Sequence, residues 1–259
     1  MTSNDMASNV FYDRYIRSVL LLRERYREEK TRALPGGRTL VLSPHYDDEV
    51  IGAGGAVLTQ IERGHRVRVV YLTDGRMGMP SIPDKALVEE TRRAESHQAL
   101  EILGVREVYH LSEPETMLRP GKALVQKLIP VVRGFAPEVV LVPWFFDNHV
   151  DHVEANRVLL SIVSELDKST VILGYEVWTP LIPNLYLDIT RFASKKRKAL
   201  MCFASQLEQV DYIRTTMALG KRRALESDSG GYAEAFLCMR IEEYIDWIDR
   251  SGIAAIKFV

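Results

Sequence analysis

The chain has 259 residues, enough for one large α/β domain or two small ones, and its 46% hydrophobic and 27% charged content is ordinary for a soluble globular protein. Its 34 Lys and Arg nearly balance 35 Asp and Glu, for a formal net charge of −1, which gives no reason to expect nucleic acid or an anionic membrane as partner. No apolar run reaches the roughly 18 residues of a membrane span, the polar start Met1 to Asn9 does not read as a signal peptide, and two cysteines without CxxC spacing point to a reducing cytoplasm.

In chain order, Val10 to Arg32 carries Phe11, Tyr15, Val19, Leu22 and Tyr26 at helical spacing and is predicted as an amphipathic helix ended by Pro35-Gly36-Gly37. Thr39 to Ser43 is predicted as a buried strand, Val50 to Arg63 as a helix starting on Gly52-Ala53-Gly54-Gly55, and Val67 to Leu72 as a strand. Met77 to Asp84 reads as a loop. Helix Lys85 to Leu103, strand Glu107 to Leu111, helix Gly121 to Arg133 with a kink near Pro130, strand Val139 to Val142 and helix Asp151 to Leu166 follow. This alternation predicts a mostly parallel sheet covered on both faces.

From Thr170 the rhythm changes. Strands are predicted at Val171 to Trp178 and Leu185 to Ile189, then helices at Phe192 to Ala204, Leu207 to Ala224 and Ile241 to Arg250. The basic runs Lys195-Lys196-Arg197-Lys198 and Lys221-Arg222-Arg223 read as solvated helix faces, and Cys202 and Cys238 as core residues. The expected organisation is a helical arm, residues 1–37, and a single domain, residues 38–259, with a helical carboxyl-terminal extension.

Two clusters carry chemistry. Pro44-His45-Tyr46-Asp47-Asp48-Glu49 follows the first strand, and Asp147-Asn148-His149-Val150-Asp151-His152 follows the strand at 139–142. Ligands in open α/β sheets sit at the carboxyl ends of strands, so both clusters are placed for a shared site. His45 and Asp48 are three residues apart on a strand-to-helix turn. His149 and His152 have the same spacing and share a face if a helix starts there. These side chains exceed the three protein ligands of a catalytic zinc site, leaving others to act as base and electrostatic stabiliser. His65, His97 and His110 lack acidic companions at ligand spacing. A dinucleotide site fits poorly, because the glycines lack the GxGxxG spacing and Asp47, Asp48 and Glu49 would repel phosphate.

The motifs together resemble the LmbE-like, or PIG-L, zinc deacetylases. The first cluster with Gly52-Ala53-Gly54-Gly55 is similar to PHPDDE…GxGG, and Asp147 to His152 to the HPDH segment. Leu72-Thr73-Asp74-Gly75 resembles LTDG, and Arg92-Arg93-Ala94-Glu95 with Leu103-Gly104-Val105 resembles RxxE and LGV. Ser205-Gln206 and Ala233-Glu234-Ala235-Phe236 resemble the SQ and AEAF elements of bacterial members. The likeness covers residues 38–240. Tyr46 and Val150 stand where proline is usual, and Asp147 stands where some thiol-pathway members carry a helper Tyr.

The resemblance implies a Rossmann-like α/β fold and one Zn2+ per chain on His45, Asp48 and His152, with other divalent ions able to substitute. It implies Asp47 as general base, His149 as oxyanion stabiliser oriented and held cationic by Asp151, and Arg92 as substrate-binding. The expected reaction is hydrolysis of an N-acyl group, acetyl first, from an N-acetylglucosamine-like conjugate. The alternatives are an amidase or esterase on a non-sugar metabolite, and a metal- or nucleotide-binding module without turnover. The expected partner is a small amino-sugar conjugate, with no nucleic acid and no membrane span. A homo-oligomer is compatible with the sequence.

Overall fold

The computed structural model describes Ile16, residues 18–22 and residues 33–251. Ile16 and residues 18–22 are helical, in line with the expected amino-terminal helix, and the rest of that prediction lies outside the described residues. Five strands are parallel neighbours: β1 (Thr39–Ser43), β2 (Val67–Thr73), β3 (Glu107–Glu113), β4 (Val139–Pro143) and β5 (Val171–Tyr175). Between them run helices α1 (Asp48–Glu62), α2 (Lys85–Leu103), α3 (Lys122–Arg133) and α4 (Val150–Ser161).

The carboxyl-terminal part adds β6 (Leu185–Asp188) and β7 (Ala233–Arg240), with α5 (Ala193–Leu200), α6 (Ala204–Leu207), α7 (Tyr212–Glu226) and α8 (Ile241–Ser251). The seven strands form one sheet in the order β3-β2-β1-β4-β5-β7-β6, and β7 is antiparallel to both its neighbours.

Strand alternation places the core. In β1 and β4, Leu40, Leu42, Val140 and Val142 face α3, α4 and α8, where Leu128, Val158 and Trp247 meet them. Val41, Val139 and Leu141 face the opposite way, onto Val57 of α1, Leu100 of α2 and Leu200 of α5. Both faces are therefore dry, as a parallel sheet requires. Leu22 joins the first of these cores.

The structure departs from the predicted segments in several places. β5 stops at Tyr175 rather than Trp178, because the Glu176 carboxylate turns to the Leu181 N–H (2.8 Å) and the Arg223 guanidinium. The helix predicted over Leu207 to Ala224 starts later: Leu207 is the last residue of α6, and α7 begins at Tyr212, where Asp211 accepts the Arg214 N–H at 2.9 Å. β7 is absent from the sequence reading: Ala-Glu-Ala has weak strand propensity, and only its slot between β5 and β6 makes it a strand. The glycines of α1 bring it close to the sheet. A Cβ on Gly52 would collide with Tyr175 and the Glu176 carbonyl, and one on Gly55 with Ile189.

Candidate metal centre and active site

Strand order reverses between β1 and β4, which lie side by side with Thr39 opposite Val139 and Val41 opposite Leu141. That is the topological switch point, where the carboxyl ends of two adjacent strands leave a crevice. After β1, Pro44 ends the ladder and the Ser43 hydroxyl donates to the His45 carbonyl at 2.8 Å. Asp48 opens α1, where an acid is favoured by the helix dipole, and its Oδ2 accepts the His45 N–H at 2.8 Å. After β4, His149 caps α4: its Nδ1 accepts the Asp151 N–H at 3.2 Å.

These turns bring His45, Asp48 and His152 together. Asp48 Oδ2 lies 3.1 Å from His45 Nδ1 and 3.2 Å from His152 Nε2, and the two imidazole nitrogens are 3.2 Å apart. Donors around a tetrahedral ion at zinc-like ligand distances of about 2.0–2.1 Å are separated by about 3.3–3.4 Å. The triangle fits such an ion, and its two nitrogens and one carboxylate oxygen suit zinc chemistry. His149 completes a wider histidine group with His45 and His152, with one donor atom from each lying within 4.8 Å of the others. The tighter set is the one with Asp48.

The groups around this triangle orient it. His45 turns its far nitrogen, Nε2, to Asp151 Oδ2 at 3.2 Å, and His152 turns Nδ1 toward Asp147 Oδ1 at 3.3 Å, at ion-pair distance. Each imidazole thus has a carboxylate behind it, the arrangement that sets ring orientation in metal-binding histidines. Burial disfavours both cations, yet Asp48 and the carboxylates behind raise His45 to about 10 and His152 to about 9. Asp48 is held well below the usual carboxylate range: burial opposes this, and His152 and His45 outweigh it. A dication would replace those protons against the same carboxylates.

Asp47 is buried and turned to Arg92, with Oδ2 3.5 Å from Nη2. Burial raises its pKa, Arg92 pulls it down and Asp48 pushes it up again. Arg92 is itself buried, donating to the Gly75 carbonyl at 3.0 Å with Nη1 3.6 Å from Glu115. Glu115 also accepts the Met77 N–H at 2.6 Å and lies 3.7 Å from His45 Nε2.

His149 differs from expectation. Burial first, then the charges of His45 and His152, press it down to about 4, and Asp151 pulls the other way without prevailing. The Asp151 carboxylate is occupied by His45 and by the Thr116 (2.7 Å) and Leu118 (3.3 Å) N–H groups, so it does not pair with the His149 ring. Because Nδ1 accepts a hydrogen bond, the neutral tautomer carries its proton on Nε2 and is a donor.

The seven predicted site residues therefore gather in one region, with Asp151 behind His45 instead of beside His149. Asp147 and Glu115 were not singled out for these roles. Asp147 also accepts the Trp178 N–H at 2.9 Å and the Thr179 N–H at 3.3 Å, tying the loop after β5 to the site. Its position in the second cluster was a signal, but its partners are about 30 residues away in sequence. Glu49 points elsewhere, accepting from Tyr71 (2.6 Å) and Ser43 (3.0 Å), and burial pushes it up to about 8. A cavity of about 250 Å3 opens over these groups, lined by Asp47, Arg92, Glu115 and His149 and also by Ile51, Trp178 and Tyr212.

Residues 40–163 match the family described as PIG-L: GlcNAc-PI de-N-acetylase. The chain is 28% identical over 189 residues to a diacetylchitobiose deacetylase from Thermococcus kodakarensis, covering 66% of this chain and 71% of that protein. It is 28% identical over 208 residues to a 4-oxalmesaconate hydratase from Pseudomonas putida, covering 72% and 80%. Its fold is similar to that of N,N'-diacetylchitobiose deacetylase from Pyrococcus horikoshii, with a TM-score of 0.71 at 22% identity over 94% of this chain and 95% of that one.

Proposed function

This chain carries a domain of the PIG-L (LmbE-like) family, and on that premise we propose that it is a metal-dependent hydrolase releasing an N-acyl group from a 2-amino sugar. The observation that carries the reading is the triangle of His45, Asp48 and His152 with the separate carboxylate of Asp47 one residue before a ligand. A binding module needs the triangle but has no use for a second, differently partnered acid beside it. The deacetylase relative supports an amide of an acetylated sugar as substrate. Among the described residues no helix is long and apolar enough to cross a membrane.

His45, Asp48 and His152 are the ligands in this reading, and zinc is the ion their donor set suits. When bound, the ion supplies Lewis acidity that acidifies water and polarises the amide carbonyl. Asp47 takes the proton of the attacking water; burial raises its pKa, as a base needs, and Arg92 opposes that rise. His149 offers its Nε2–H to the carbonyl oxygen as that oxygen gains charge. The resulting hydroxide adds to the carbonyl carbon, and Asp47 then returns the proton to the leaving nitrogen as the C–N bond breaks, giving a carboxylic acid and a free amino sugar. The acid then loses its proton to the amine or to solvent.

The test is to incubate zinc-loaded protein with N-acetylglucosamine and diacetylchitobiose and to measure free amine, with and without chelator. Chelator-sensitive release is expected. The hydratase relative favours a second reading, in which the same base and metal add water to a carbon–carbon double bond of a carboxylated metabolite. Loss of alkene absorbance from such an acid, with no amine from any acylated sugar, would select that reading instead.

A further inference from the structure

A second cavity, of about 260 Å3, adjoins the first and shares Ile51, Val177, Trp178, Val210 and Tyr212 with it. Its own walls are mostly apolar, Pro180, Leu219 and the small Gly52 and Ala235, with Thr215 and Thr216 of α7 the uncharged polar residues among them. The charged groups at its edge are already matched. Lys196 Nζ donates to the Ile51 carbonyl at 2.7 Å and to Glu234 at 2.6 Å, and Arg223 pairs with Glu176. A group entering this space finds apolar contact and no free charge to bind.

Position decides what that group is. Ile51 lies three residues beyond Asp48 on α1, about 4.5 Å along the helix axis, so the apolar space begins one turn from the reacting centre. Along the carboxyl edge of the sheet, the polar partners Arg92 and Glu115 cluster toward β3, while the apolar cavity lies toward β7. The two substituents of an amide leave its carbonyl in different directions. Sugar hydroxyls require hydrogen-bond partners and belong on the polar side. The acyl substituent then points toward the apolar cavity, and acetyl is far too small to fill it.

Resting on the N-acyl hydrolase reading, we propose that the apolar cavity is an acyl pocket and that the preferred acyl group is a saturated or aryl chain of about six to eight carbons. The scale follows from a 150 Å3 apolar cavity being enough for benzene. Such a chain fits within the second space and turns past Trp178, which is 43% exposed and meets Tyr212 edge-on at 5.6 Å.

The experiment is a chain-length series of N-acylglucosamines, from acetyl to decanoyl, hydrolysed by the zinc-loaded protein. The specificity constant is expected to rise about three- to fourfold for each methylene buried and to level off near octanoyl. In the metal-free protein, calorimetry should find N-octanoylglucosamine binding at least tenfold tighter than N-acetylglucosamine. Thr216→Trp, which fills the cavity from α7, should lower the octanoyl-to-acetyl ratio at least tenfold, and Leu219→Ala should move the optimum to longer chains. Hydrolysis of the acetyl compound with a flat or falling series would overturn the acyl pocket and leave the hydrolase reading standing. Hydrolysis of no member would overturn both.

Discussion

Two groups of buried charges lie along the first half of α1, and they are built differently. Toward β7, Lys196 and Glu234 form a closed set: the lysine binds one backbone carbonyl and the acid, and Glu234 also accepts the Gly55 and Ala56 N–H groups at 2.7 and 2.8 Å. Arg223 and Glu176 close in the same way with Leu181. Toward β1 and β4, among the described residues, five carboxylates (Asp47, Asp48, Glu115, Asp147 and Asp151) and three imidazoles converge with one guanidinium, Arg92, and donor atoms face one another across about 3 Å. A closed set holds structure; an open set that remains buried is an arrangement for an added cation and for proton transfer.

The largest effect should come from removing an apex of the open set. Asp48→Ala or His152→Ala is expected to abolish both bound zinc and hydrolysis, read by metal analysis after desalting and by amine release. Retention of one zinc per chain in Asp48→Ala would dismiss the triangle as the metal site. Next comes the base: Asp47→Asn should keep its zinc and lose roughly two to four orders of magnitude in turnover. Its acid limb sharpens the point. Burial raises the Asp47 pKa, so the wild-type rate should fall with decreasing pH at values above the ordinary carboxylate range. The asparagine variant should lack that limb.

For His149→Ala a loss on the order of a hundredfold in turnover is expected, with zinc retained. His149→Gln keeps an N–H donor and should recover part of that loss. With its pKa near 4, His149 stays neutral from pH 6 to 9, so wild type and His149→Gln should share the shape of the pH–rate profile there. An alkaline limb that disappears in the glutamine variant would mean that the cation is the working form. Asp151→Asn should weaken zinc binding about 10- to 100-fold through His45. An unchanged zinc affinity would show the carboxylate behind His45 to be idle.

The closed set should answer in stability instead. Glu234→Ala leaves Lys196 buried without its acid and is expected to destabilise the fold by about 3–5 kcal/mol, lowering the melting temperature by roughly 10 °C. Zinc stoichiometry should be unchanged. If Glu234→Ala melted like wild type but lost its metal, the distinction between the two sets would fail.

Sequence alone was enough for what depends on local pattern. The apolar runs at 39–43, 67–72 and 139–142 read as buried strands because both sheet faces are covered. His45 and Asp48, and His149 and His152, could be paired because a turn at each strand end gives residues three apart a common direction. The glycines of α1 could be set apart from a dinucleotide site, since they lack its spacing and the carboxylates before them would repel phosphate. Tertiary structure alone decided the rest, where the partner is distant in sequence. Lys196 and Arg223, expected as solvated helix faces, are each only 3% exposed, because Glu234 and Glu176 come to them from other elements. β7 owes its strand form to the gap between β5 and β6. Whether Asp151 serves His149 or His45 turned on which imidazole the fold brought to its carboxylate, and no spacing within one segment encodes a contact across 106 residues.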